Sequence, residues 1–176
     1  MKSFLTLLLL SVLANEGVRS SAYTNEHLRL EYPADWIVRP IDNTSKENYI
    51  LEVEKLFVWS PLRPDEDRKV LKLTTPSSIY YNKSPSLKKL DRVLTKAAKK
   101  KLEHFEVLNS EEGVKEGIPF IKTTFTNLKG AIQETTEYYI FSIDDTPYVL
   151  YLTASTKEYN AQRAHWNRIW QELSMQ

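Results

Sequence analysis

Two apolar segments joined by a tight turn limit what this chain can become. Gln133 to Ile143 carries Tyr138, Tyr139, Ile140, Phe141 and Ile143, and Pro147 to Ala154 carries Tyr148, Val149, Leu150, Tyr151 and Leu152. Asp144-Asp145-Thr146 between them has the composition of a turn. Strands that are apolar on both faces belong in the middle of a sheet covered on both sides. The pair is therefore expected at the centre of an antiparallel sheet, with an apolar cover over each face.

Two stretches have the spacing to supply the covers. From Ser86 to Leu102, the apolar residues Leu87, Leu90, Leu94, Ala97 or Ala98 and Leu102 recur at helical spacing. Lys88, Lys89, Arg92, Lys96, Lys99 and Lys100 occupy the rest of that surface. Lys157 to Leu173 predicts a second helix with Tyr159, Trp166, Ile169, Trp170 and Leu173 inward. The remaining strands come from alternation. His27 to Tyr32 places Leu28, Leu30 and Tyr32 on one face, and Trp36 to Arg39 is a short second strand after the Pro33 turn. Thr44 to Trp59 is ambiguous. Thr44 and Glu47 could form a helical capping box, while Leu51, Val53, Phe57 and Trp59 keep strand parity, so a strand is expected at least over Lys55 to Ser60. Lys69 to Thr74 is a further strand, ended by Pro76. Phe105 to Ser110 and Ile118 to Thr126 form a pair interrupted by turns at Glu111-Glu112-Gly113 and Glu116-Gly117. Four strands, a helix, four strands and a helix predict an α+β chain: a three-layer α/β/α sandwich around a central, mainly antiparallel sheet.

The start of the chain reads differently. Met1-Lys2 is a short positive opening and Phe4 to Leu13 a leucine-dominated apolar run, the pattern of a secretory signal peptide. Ten residues reach only about 15 Å, half of a ~30 Å hydrocarbon core, which argues against a transmembrane span. Val12 and Ala14 suit cleavage after Ala14, and Ser20 and Ala22 suit cleavage after Ala22. Residues 1–22 are thus expected as the leader and 23–176 as a single domain. Of 176 residues, roughly 155 remain for folding, enough for a full core without disulfides. The chain has no cysteine, which excludes thiolate chemistry and the lipid-bearing cysteine of bacterial lipoproteins. A net charge of +1 supplies no long-range field to gather nucleic acid.

An ordered series of segments resembles one family. Leu30-Glu31-Tyr32-Pro33-Ala34-Asp35-Trp36 is similar to the opening of PsbP-type domains. Lys72-Leu73-Thr74-Thr75-Pro76, followed by Ser84-Pro85-Ser86-Leu87 at a helix start, is similar to their next segments. Phe105-Glu106-Val107-Leu108, Gly117-Ile118-Pro119-Phe120, Tyr148 to Ala154 and the tryptophan-rich last helix resemble the same PsbP/Mog-type superfamily and its bacterial DcrB-like relatives. The resemblance implies the α/β/α sandwich. It also implies an exported accessory or binding protein rather than an enzyme, since members include an extrinsic photosystem II subunit, envelope lipoproteins and a nuclear binder of the GTPase Ran.

Motifs for catalysis are sparse. His27, His104 and His165 lack ligand spacing, and no Gly-x-Ser-x-Gly elbow is present; Ser77, Ser78 and Ser86 read as turn and cap residues. Asp65-Glu66-Asp67, Glu111-Glu112 and Asp144-Asp145 read as solvated turns, although a calcium ion at Asp65 to Asp67 is conceivable. No cofactor or metal is expected. Asn43-Thr44-Ser45 and Asn82-Lys83-Ser84 are glycosylation sequons. The candidate contact residues are Tyr80 and Tyr81, in a loop between prolines, and the basic helix face with Lys89, Arg92, Lys96 and Lys100. A protein partner is the leading expectation, with weak contact to an anionic surface also open and nucleic acid disfavoured. The alternative is a carrier of a small apolar ligand, in a gap between helix and sheet lined by Tyr138, Tyr139, Trp166 and Trp170. An extracytoplasmic enzyme ranks third.

Overall fold

The tyrosine-rich pair forms the middle of a seven-stranded antiparallel sheet in the computed structural model, which describes residues 20–34, 36–38, 48–56, 68–76 and 86–175. The elements are β1 (Ser20–Thr24), β2 (Leu28–Pro33), β3 (Ile37–Val38), β4 (Asn48–Leu56), β5 (Arg68–Thr75), α1 (Leu87–Lys101), β6 (Glu103–Lys115), β7 (Ile118–Lys129), β8 (Ile132–Ile143), β9 (Thr146–Ser155), α2 (Thr156–Ala161), α3 (Arg163–Glu172) and β10 (Ser174–Met175). The large sheet has the order β3-β4-β5-β9-β8-β7-β6, and a small one the order β1-β2-β10. Every pairing among the described residues is antiparallel. The chain is an α+β protein built on a mainly antiparallel sheet.

Strand alternation sorts the core into two clusters. Tyr139, Phe141, Leu150 and Leu152 are buried with Leu71, Leu73, Trp166, Ile169 and Trp170, and the small sheet adds Leu28 and Leu30. Tyr138, Ile140 and Val149 are buried with Leu90 of α1 and Phe125. Successive residues of β8 point to opposite faces, so α1 covers one face and α3 the other. All five residues expected inward on the last helical stretch are buried. Trp36 packs edge-on against Trp166 at 6.0 Å.

Tight turns hold the meander β6 to β9. Asp144 and Asp145 have φ of 48° and 61°, and Glu116 and Gly117 have 53° and 81°. Positive φ at both central residues is what a two-residue type I′ hairpin requires. The Glu111-Glu112-Gly113 segment is not a turn: β6 pairs with β7 as far as Lys115–Ile118 and reverses only at Glu116-Gly117. Residues 48–56 are strand, which removes the helical alternative there. Of the strand expected over residues 55–60, the last four lie outside the described residues.

The C-terminal stretch is not one helix. At Gln162, with φ −123° and ψ 24°, α2 ends and α3 begins. Tyr159 before the break and Trp166 after it are both buried in the core. Ser174–Met175 then returns as β10 beside β2. β1 is a further strand that alternation did not reveal, because Ser20-Ser21-Ala22 has the composition of a cleavage region; it pairs with β2 from Ser20–Pro33 to Thr24–Arg29.

Candidate functional site

Among the described residues, exposed cations gather at the cleft between α1 and the outermost strand, β6. Ser86 caps α1 by accepting from the Lys89 amide at 3.3 Å, and Lys99, Lys100 and Lys101 sit in its last turn, where the helix dipole favours cations. Lys88, Asp91, Arg92, Thr95, Lys96 and Lys99 form one row of the helix at spacings of three and four. They wall a cleft of about 730 Å3 whose other side is Ser110 and Glu112 of β6 and Ile121 of β7. Lys88 is ion-paired to Glu112 at 2.8 Å. Arg92, Lys96 and Lys99 are exposed and have no ion-pair partner among the described residues.

A hydroxyl network underlies the cationic wall. Asp91 Oδ1 accepts from the Tyr138 hydroxyl at 2.7 Å and from the Thr123 hydroxyl at 2.9 Å. Thr95 lies 2.9 Å from the Tyr138 hydroxyl, and Ser110 lies 3.0 Å from Thr123. Burial, with Asp91 adding to it, holds the Tyr138 hydroxyl neutral far above its ordinary range. The network fixes α1 against β7 and β8. Sequence reading missed it because its members lie up to 47 positions apart; the signal available was Asp91 and Thr95 on one helix face, in an otherwise basic helix.

β6 itself is distinctive. Val107, Leu108 and Val114, exposed by 41%, 55% and 69%, are the exposed large hydrophobics among the described residues, and all three are on this edge strand. Its first half carries register irregularities between Glu103 and Glu106 and between Val107 and Asn109, whereas Ser110 to Lys115 pairs regularly with β7. A bulged edge resists further pairing, and a regular one accepts it.

Of the expected contact residues, Arg92 and Lys96 line the cleft, while Lys89 and Lys100 are exposed on α1 but do not border it. Tyr80 and Tyr81 lie outside the described residues, as do Asp65 to Asp67 and both sequons. The gap proposed for an apolar ligand does not exist as drawn. Tyr138 is on the α1 face, whereas Tyr139 stacks on Trp170 at 4.1 Å on the other, with Trp166 fully buried nearby. Alternation along β8 separates the two tyrosines, so the four rings cannot line one space.

The α3 face holds a second polar group. Glu137, only 1% exposed, accepts from the Tyr139 hydroxyl at 2.6 Å and the Tyr159 hydroxyl at 2.7 Å, and pairs with Lys122 at 3.0 Å. Burial, then the adjacent carboxylate, pushes the Tyr139 hydroxyl far up, and Tyr159 is raised by burial and its bond to Glu137. With three donors on one carboxylate, the group is internally satisfied and closed to ligands. His27 lies 3.6 Å from Asp144 and edge-on to Tyr148, while His104 and His165 are on β6 and α3. Among the described residues, no three histidine or acidic side chains gather as a metal site would need. No described helix is long and apolar enough to cross a membrane.

No protein-family model matches the chain, and no curated protein matches it. Solved structures do. Cyanobacterial PsbP from Synechocystis superposes with a TM-score of 0.63 at 10% identity, over 90% of this chain and 94% of that one. LpqN of Mycobacterium tuberculosis, involved in cell envelope biogenesis, gives 0.58 at 13% over 89% and 90%. PA94 of Pseudomonas aeruginosa gives 0.56 at 14% over 88% and 96%. These identities carry the architecture and nothing finer. The likeness spans nearly the whole of each chain, and the protein has the PsbP-type fold.

Proposed function

We propose that this is a non-catalytic binding or accessory protein of an extracytoplasmic compartment, engaging an acidic protein partner along the α1–β6 cleft. The carrying observation is the wall of Arg92, Lys96 and Lys99, three exposed cations with no ion-pair partner among the described residues, beside an edge strand bearing Val107, Leu108 and Val114. Unneutralised charge on a rim steers and orients an oppositely charged partner, and exposed apolar residues beside it supply area to bury. The helices on opposite faces of the sheet are read as the outer layers of an α/β/α sandwich, a single domain whose working surface faces outward.

Export rests on the leader pattern at the start of the chain. The pairing of Ser20, Ser21 and Ala22 with β2 favours cleavage after Ala14, since cleavage after Ala22 would remove three of the five residues of β1. Mass spectrometry of the native protein is expected to find Asn15 at its start; a chain beginning at Tyr23 would refute that choice of site.

A photo-crosslinking residue placed in turn at Lys96, Leu108 and Val114, and at exposed Asn160 on α2 as control, tests the surface in the native host. One common adduct from the first three positions and none from Asn160 is expected. Adducts independent of position, or none from the cleft, would overturn the reading.

A further inference from the structure

The apolar stripe of α1 is continuous from Leu87 to Leu102, yet only Leu90 is buried; Leu94, Ala97, Ala98 and Leu102 are half-buried. The reason is a gap beneath the second half of the helix. Leu94, Ala97, Ala98 and Leu102 roof a crevice of about 290 Å3 floored by Phe125, Tyr138 and Tyr151. It lies on the opposite flank of α1 from the cationic cleft. The two alanines occupy roof positions where longer side chains would close the space. The floor is preorganised: Tyr138 is held by its hydroxyl bonds to Asp91 and Thr95, and its ring lies 6.1 Å from Phe125 and 5.8 Å from Tyr151. The polar lining is already engaged within the protein: Thr136 and Thr153 bond each other at 2.9 Å and Asn127 donates to Glu134 at 3.5 Å, which leaves the lysines Lys72 and Lys101 as the cations at the crevice. Lys101 is exposed and has no ion-pair partner among the described residues.

We propose that this crevice binds a small amphipathic carboxylate, its apolar body between the roof of α1 and the aromatic floor and its anionic head at Lys101. An apolar cavity of about 150 Å3 accommodates one benzene, so the crevice suits a body of two fused rings or a short acyl chain. An aromatic and aliphatic lining with a few placed polar groups is the usual make-up of a small-molecule site. The inference stands apart from partner binding at the cleft, and either can fail without the other.

Titration of the full mature chain with 2-naphthoate, followed by amide and methyl NMR shifts, tests it, with 2-naphthol as the neutral counterpart. Saturable shifts confined to Leu94, Ala97, Ala98, Thr136, Tyr151 and Thr153 are expected. Ala98→Leu should weaken naphthoate binding tenfold or more while leaving or raising Tm. Lys101→Glu, at an exposed position, should weaken naphthoate at least threefold and leave 2-naphthol unchanged. No saturable shift up to millimolar naphthoate, shifts centred elsewhere, or equal binding by wild type and Ala98→Leu would overturn the site. Equal response of both probes to Lys101→Glu would overturn the carboxylate assignment. Should Ala98→Leu fail to fold, the location of the shifts and the Lys101→Glu comparison decide alone.

Discussion

Replacing Glu137 with alanine tests how the α3 face is held together. The carboxylate is buried and serves three donors: two tyrosine hydroxyls at 2.6 and 2.7 Å and Lys122 at 3.0 Å. Removing it strands two hydroxyls inside the core and takes from Lys122 its nearer anion; Glu111 remains, at 3.5 Å. Removing one member of a buried ion pair costs about 3–5 kcal/mol. The desolvation of Glu137 itself is relieved, and Lys122 is partly solvated, so the stranded hydroxyls do not add in full. We expect a loss within that range, read by urea denaturation. At about 2–4 °C per kcal/mol for a domain of this size, it is a fall in Tm of roughly 6–20 °C. A double-mutant cycle sharpens the test. Tyr159→Phe in the native background removes a bond to a charged acceptor and should cost about 1.5–3 kcal/mol. In the Glu137→Ala background the same change should cost almost nothing, because the hydroxyl it deletes has already lost its acceptor. Equal costs in the two backgrounds would refute the network.

Further outcomes follow from the same coordinates. A Cβ at Gly113 would lie 2.5 Å from the Phe120 ring, itself lodged 4.9 Å from Trp170, so Gly113→Ala should destabilise by about 1–3 kcal/mol; a urea midpoint equal to wild type would contradict that contact. Tyr138, Tyr139 and Tyr159 are held above the ordinary tyrosine value of 10.0, so their contribution is complete below pH 10 and is lost as pH rises past it. Stability should then fall by about 1.4 kcal/mol per pH unit for each tyrosine, and alkaline denaturation series showing no such slope would count against their burial. Glu116 accepts the Met175 amide at 3.0 Å and is lowered chiefly by that bond. Its tie to β10 is present above the ordinary glutamate value of 4.5 and lost as pH falls through its own lower value. Hydrogen exchange at Met175 should accelerate there in wild type, and in Glu116→Gln it should not show that acid step.

The legible parts of the fold were those where periodicity is strong. Tyr138 to Phe141 and Tyr148 to Leu152 are apolar on both faces, and only a doubly covered strand pair accommodates that. Tyr159, Trp166, Ile169, Trp170 and Leu173 share one helical stripe, and all are buried. What stayed hidden depended on partners distant in the chain. β1 is polar and short, and gains its conformation from β2. Glu111-Glu112-Gly113 has the composition of a turn, but β7 pairs with it throughout and Phe120 covers Gly113. Gln162 carries no helix-breaking signal; tertiary packing of Tyr159 and Trp166 accompanies the break. The site was half legible. A lysine-rich helix face announces itself in sequence, and Arg92 and Lys96 do line a cleft. Asp91, Thr123 and Tyr138 could not be grouped without the sheet register that brings β7 and β8 under α1. Glu137 lies in a run of polar residues at the start of β8, and its burial is set by α2, which follows β9 in the chain.

The most direct test of the partner-binding surface uses the protein crosslinked from the cleft. Its affinity for wild type and for the Arg92→Glu/Lys96→Glu/Lys99→Glu variant would be measured across a salt series. Loss of binding by the variant, with wild-type affinity declining as salt rises, is the expected result. Equal affinity for the two proteins at low salt would contradict the claim that this cationic wall is where the molecule works.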